Sequence, residues 1–371
     1  MVEKKALDSN GEVTRERKGL PRTNLPVVLP TNPTFLKQSN LITLMTGDFK
    51  TVQLRVIISV IEKLQVAIEQ SISFFNNTGT IPFEQLSLFQ EYNDRITIKL
   101  AYKDIGVDPD QYGEVKKAVK SLITLPVEFD VTDPETGEPC WLVTGLFLRA
   151  HGQNNKYARS FTLEMDREVA KMFVRVDKGF TRYIKEIAYK SQSRYTVRMY
   201  MLISSWKEKG GFSIYVDKFR KFLKLEEKYP NYKDLYKRII RPVYEDLFEN
   251  ADCWFEVAEV YRDINDTQPY KLNFKIVRSA PSKKEEETLS LQKRNIGELL
   301  RRHARMREPQ VLDILNKITL ENYQRVLNKT VYLCEYISNN WQSISSIPDY
   351  FHAVLTKELQ PECGLIGEPT E

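Results

Sequence analysis

Two stretches of this chain, starting at Tyr112 and Tyr232, carry the same pattern. One reads Tyr112-Gly-Glu-Val-Lys-Lys-Ala-Val-Lys-Ser-Leu-Ile-Thr-Leu-Pro-Val-Glu-Phe129, the other Tyr232-Lys-Asp-Leu-Tyr-Lys-Arg-Ile-Ile-Arg-Pro-Val-Tyr-Glu-Asp-Leu-Phe248. Each sets apolar residues three and four apart on one side and Lys or Arg opposite, the period of an amphipathic helix. Each is followed by two segments rich in β-branched and aromatic residues that flank a polar loop. In the first these are residues 126–131 and 140–149 around Asp133-Pro-Glu-Thr-Gly-Glu138; in the second, 254–261 and 270–277 around Arg262-Asp-Ile-Asn-Asp-Thr-Gln-Pro269. A lone hairpin is marginal in water, so helix and hairpin must cover each other. A basic helix backed by a small hairpin is the layout of a winged helix. The expected fold class is α+β: two tandem winged-helix domains followed by a C-terminal helical module.

The rest of the chain fits around this duplication. Residues 1–35 are polar and Pro-punctuated and read as a flexible N-terminal arm. The first domain covers 36–175. It opens on a long helical pattern over 38–69, with Leu54, Ile57, Ile58, Ile61, Leu64 and Ile68 on one face. The second covers 176–279, with a helix over 193–206, a break at Gly210-Gly211 and a short strand before the second basic helix. Residues 280–288 have linker composition, and 289–371 form an accessory region helical in pattern.

Charge is segregated more than the net +5 suggests. Residues 181–241 hold 16 Lys/Arg against 6 Asp/Glu, whereas 242–260 hold six acids and no base. A solvated helix surface explains most charge runs, but here the cations fall on one helical face, as on a polyanion-binding surface. In the second basic helix Leu235, Ile239, Val243 and Leu247 form the apolar line, and Lys237, Arg238 and Arg241 lie opposite with Asp234 and Glu245. Such a helix fits the major groove, where Arg donates to guanine O6 and N7. Arg238 and Arg241 are the expected base readers, and Tyr232 and Lys233 stand at the helix start. Pro242 should kink the helix or lengthen its first half. In the first unit Lys116, Lys117 and Lys120 share a face; lysine suits phosphates better than base edges, so this unit positions more than it specifies. Lys156, Arg159, Lys190, Arg194, Arg198 and, in the second wing, Arg262 are further candidate backbone contacts. Arg198 has an alternative role inside the domain, paired with an acid.

Enzyme signatures are missing. No glycine is followed by lysine, so there is no phosphate-binding Gly-x-x-x-x-Gly-Lys loop. The three histidines (His151, His303, His352) are isolated, so the paired-histidine metal site of a nicking replicase is absent. Pro109-Asp110 with Glu114-Val-Lys116 matches a nuclease-like string, but its acids fall in a turn and a helix instead of on adjacent strands around a metal. No catalytic residue, metal or cofactor is expected. The four cysteines are scattered, with neither disulfide nor zinc spacing. Residues 1–19 lack the apolar stretch of a signal peptide, and no run approaches the ~18–20 residues that cross a bilayer, which points to the cytoplasm.

At Lys190-Ser-Gln-Ser-Arg-Tyr-Thr-Val-Arg-Met-Tyr-Met-Leu-Ile203 and Arg238-Ile-Ile-Arg-Pro-Val-Tyr-Glu-Asp-Leu247 the sequence resembles the plasmid replication initiators built from two winged helices, the iteron-binding Rep proteins. Phe180-Thr-Arg-Tyr183, Gln38-Ser-Asn-Leu-Ile42 and Phe161-Thr-Leu-Glu-Met165 are similar to family positions too, and the resemblance spans roughly residues 36–278. Val243 departs from the family's usual alanine, and Lys207-Glu-Lys-Gly-Gly211 fills the loop after Trp206. The resemblance implies a protein that binds directly repeated sites in double-stranded DNA at a plasmid origin. As a monomer it would help open the duplex and recruit host replication factors such as the helicase. As a homodimer, paired largely through the first domain, it would repress its own gene.

Overall fold

The computed structural model describes residues 2–7, 13–17, 30, 32–90, 94–133, 136–153, 159–279, 283–319, 322–340, 344, 346–359 and 364–366. The chain divides into two compact units: residues 1–207 with 211–278 and 365–371, and residues 208–210 with 279–364.

The first unit begins with an antiparallel pair, β1 (Val2–Leu7) and β2 (Val13–Arg17). A flexible arm is the sequence expectation for 1–35; the structure instead pairs β2 with a strand of the second winged sheet, an edge no local pattern can foresee. β3 (Phe35–Ser39) follows, then helices α1 (Asn40–Leu44), α2 (Thr51–Lys63) and α3 (Gln65–Thr78). The expected single helix over 38–69 is therefore split. Gln38 lies in β3, and the axis breaks at Leu64, which is buried between α2 and α3. Val56, Ile57, Ile58, Val60 and Ile61 of α2 are all buried, so this helix runs through the core.

β4 (Arg95–Ala101) leads through two 3₁₀ turns into α4 (Tyr112–Ile123), the first basic helix. Its wing is the hairpin β5 (Pro126–Thr132) and β6 (Pro139–Gly145), with Val127 opposite Thr144 and Phe129 opposite Leu142. The β-rich stretch 140–149 does not stay in one strand. Leu146 and Phe147 turn into the core, and β7 (Arg149–Gly152) joins a separate sheet with β8 (Ser160–Asp166) and β4. Helix α5 (Arg167–Val174) and strand β9 (Phe180–Ile184), which pairs with β3, complete this half.

The second half repeats the plan with α6 (Lys185–Lys190), α7 (Arg194–Ser205), β10 (Gly211–Tyr215) and α8 (Val216–Leu223). Next come α9 (Tyr232–Leu235), a π-helical turn over Tyr236–Ile240 and α10 (Arg241–Asn250). Strands β11 (Cys253–Tyr261) and β12 (Lys271–Arg278) lie in a six-stranded sheet ordered β1-β2-β11-β12-β10-β13, whose last strand is β13 (Gly364–Ile366). Gly211 is required there, because a Cβ would collide with the Phe274 carbonyl on the neighbouring strand.

The second unit holds α11 (Lys283–Arg302), α12 (Glu308–Lys317), α13 (Tyr323–Asn340) and α14 (Ile347–Leu359) around Ile296, Leu300, Val311, Ile314, Val326, Leu333, Phe351 and Leu355. α11 starts inside the stretch read as a linker. Lys283-Lys-Glu-Glu-Glu287 sets unlike charges three and four apart, a spacing that favours helix.

Candidate nucleic-acid interface

The second basic helix gets its shape from its apolar line. Leu235, Ile239, Val243 and Leu247 are four apart, and in a regular α-helix such a line drifts by about 120° over its length. One π turn absorbs an extra residue and cuts the drift to roughly 20°. It sits where Pro242 needs it, because proline has no N–H and its ring clashes with the carbonyl four residues back. The N–H of Arg241 accordingly bonds the Tyr236 carbonyl, five residues back. Leu235, Ile239, Ile240, Val243 and Leu247 are all buried, while Lys233, Lys237, Arg238, Arg241 and Pro242 are exposed. The sequence foresaw a local cost at Pro242, and the structure meets it by widening the helix.

The two expected base readers differ in state. The Arg238 guanidinium lies 5.8 Å from the Tyr229 ring centroid and has no carboxylate partner among the described residues. Arg241 donates to Glu245 at 2.8 Å, one turn on, an ion pair that holds its pKa above the usual guanidinium range. To reach a base it must exchange that carboxylate. The helix start is tied to the wing, because the Tyr232 N–H donates to Gln268 Oε1 at 2.7 Å. Arg262, at the other end of the wing loop, is exposed and lies 5.0 Å from the Tyr270 ring.

In the first unit α4 buries Val115, Ala118, Val119 and Leu122 and exposes Lys116, Lys117 and Lys120, as the helical period predicts. Arg159, just before β8, is exposed, and Lys156 lies outside the described residues. Lys190 is exposed and donates to Asn250 Oδ1 at 2.7 Å, tying α6 to the end of α10.

Three expected contacts fall elsewhere. Arg198 is 4% exposed: its guanidinium donates to the Met45 carbonyl and lies 4.3 Å from the Phe222 ring centroid and 5.8 Å from that of Phe49. Burial pulls its pKa down to about 9. It bonds a backbone carbonyl instead of an acid, and it is an internal strut, withdrawn from any DNA surface. The ring of Tyr232 is buried too, because it packs on the hydrophobic side of the helix it begins. Arg194 is partly withdrawn: it ion-pairs with Asp48 and donates to the Phe49 carbonyl. The sequence offered Arg194 and Arg198 as backbone contacts at the start of one helix, but α7 packs on α1 and on β9, which withdraws Arg198 fully and Arg194 in part. Lys221, which the sequence did not single out, bridges to Glu128 of β5 at 2.6 Å and so joins the second half to the first wing. Neither this bridge nor the Gln268 contact leaves any local signal, since the partners lie 93 and 36 residues away.

Two family models match the chain: initiator replication protein, first winged helix (WH1), over residues 35–204, and initiator Rep protein, second winged helix (WH2), over residues 215–279. Among solved structures it is similar to the Pi initiator protein in complex with iteron DNA, at 14% identity and a TM-score of 0.44, covering 68% of this chain and 100% of that one. No curated protein matches it significantly. The first matched segment contains the first basic helix and hairpin and also the motif at 190–203, the second contains the second basic helix and hairpin and the motif at 238–247, and the chain belongs to the initiator replication protein (Rep) family, carrying both of its winged-helix domains.

Proposed function

We propose that this initiator works without catalysis, by docking its two winged helices in successive major grooves on one face of a duplex and reading directly repeated origin sites. Adjacent grooves of one face recur about every 34–36 Å, a spacing two tandem domains can span. The carrying observation is the division of the second basic helix. Its five core residues are buried, and Lys233, Lys237, Arg238 and Arg241 are left on the solvent side. Arg238 is the principal base reader, because it alone of the helix's two arginines is not committed to a carboxylate. Lys116, Lys117, Lys120, Arg159, Lys190 and Arg262 anchor phosphates. Homodimerisation through the first domain, recruitment of host factors such as the helicase, and autorepression belong to the same proposal and rest on family membership.

Binding-site selection from a random duplex pool tests the reading. Arg238→Ala should cost about 1–3 kcal/mol in affinity and relax preference at one position. An unchanged selection profile would remove Arg238 from base reading. A minimal plasmid carrying the cognate repeats should fail to replicate without this gene.

A further inference from the structure

The outer strand of the second winged sheet is covered by a segment from the far end of the chain. β2 runs antiparallel along β11, with Ala258 opposite Glu16, Glu259 opposite Arg15, Val260 opposite Thr14 and Tyr261 opposite Val13. An open edge would present unpaired N–H and C=O groups. Side-chain packing fixes the register: Val13, Val260 and the Glu259 side chain are each 1% exposed, and Tyr261, whose hydroxyl donates to Glu259 at 2.7 Å, is 4% exposed.

Arg15 extends this contact into the wing. Its guanidinium stacks 4.1 Å from the Tyr261 ring centroid, and Nη2 donates to the Ile264 carbonyl at 3.2 Å, across 249 residues of sequence. Ile264 belongs to the loop that starts at Arg262. Within that loop the Asp263 N–H donates to Asp266 Oδ2 and the Asn265 N–H to Asp263 Oδ1, which folds the tip on itself without tying it down. Among the described residues two long-range contacts do tie it down: Gln268 to the start of the reading helix, and Arg15 to the N-terminal strand.

We infer that the N-terminal strand is a clamp on the second wing, and that Arg15 is a positioning residue that sets where Arg262 meets the DNA backbone. The inference rests on the DNA-docking reading above. Arg15 does this through its planar guanidinium, which stacks and donates at once. A lysine ammonium keeps the charge but cannot do both.

The test compares Arg15→Ala and Arg15→Lys in the full chain, each with and without Arg262→Ala, on a duplex that the unaltered protein selects from a random pool. Hydrogen exchange of the amides at 258–266 is followed in the DNA-free protein. With a clamp, both Arg15 variants bind roughly tenfold more weakly, the effect of losing the one charge-assisted contact that Arg262 makes to the DNA backbone. Arg262→Ala then adds little in either background, and exchange at 262–266 accelerates. The inference is overturned if Arg15→Lys binds like the unaltered protein while Arg15→Ala does not, because a lysine keeps a direct phosphate contact but cannot hold the clamp. It is equally overturned if both variants bind and exchange like the unaltered protein. If the unaltered protein selects no sequence, the DNA-docking reading fails, and the exchange measurement still decides the clamp.

Discussion

Replacing Arg198 separates an internal strut from a DNA contact. In the structure its guanidinium lies over the Phe222 ring and near that of Phe49 and donates to the Met45 carbonyl, so one side chain of α7 ties the second half to the first. Arg198→Ala loses a hydrogen bond with a charged donor, worth about 1.5–3 kcal/mol. It also loses cation–π contact of ~0.5–2 kcal/mol and leaves an unfilled volume at a buried position beside Phe222. Relief of the burden of burying a charge offsets part of this. The net expectation is a loss of about 3 kcal/mol, which lowers Tm by roughly 6–12 °C in a domain of this size. Arg198→Met, which fills the space without the charge, should lose no more than half of that. Thermal melts and salt-dependent DNA titrations of both variants check the reasoning. Below the melting transition the slope of log affinity against log salt should match the unaltered protein, because no phosphate contact has been removed. A variant with unchanged Tm and a slope reduced by about one would refute the internal role and return Arg198 to the DNA surface.

Other expectations are more local. Lys117→Ala should weaken binding to all duplexes alike and flatten the salt slope by about one; a change in base preference would show that the first helix reads sequence. Pro242→Ala should leave the selection profile intact and shift stability by less than about 1 kcal/mol. Burial of Leu235, Ile239 and Ile240, at ~1.5–3 kcal/mol each, holds the wide turn without the proline. An altered profile would make the proline itself the determinant of how the reading helix is rotated. Burial, with Asp252 beside it, pushes the Cys253 thiol up to about 12, so almost no thiolate forms at pH 8. Iodoacetamide at that pH should modify it only after denaturation; labelling of the folded protein at the rate of a free thiol would contradict its burial.

What the sequence determined by itself is what depends on local periodicity. Burial of Val115, Val119 and Leu122 and exposure of Lys116, Lys117 and Lys120 follow from 3.6 residues per turn, and the Asp133–Glu138 turn signal placed the first hairpin. The motifs at 190–203 and 238–247 carried the family for the same reason: they are contiguous. Tertiary structure decided everything that joins distant segments. Arg198 looks like a surface cation on its own helix, and only packing of α7 against α1 turns it inward. A polar arm becomes a strand only because β11 offers it an edge some 240 residues away, and Arg15 acquires a partner in Ile264 only there. Hydrogen-bond and packing partners are set by three-dimensional proximity, and a one-dimensional pattern records which face a side chain takes but not what stands opposite it.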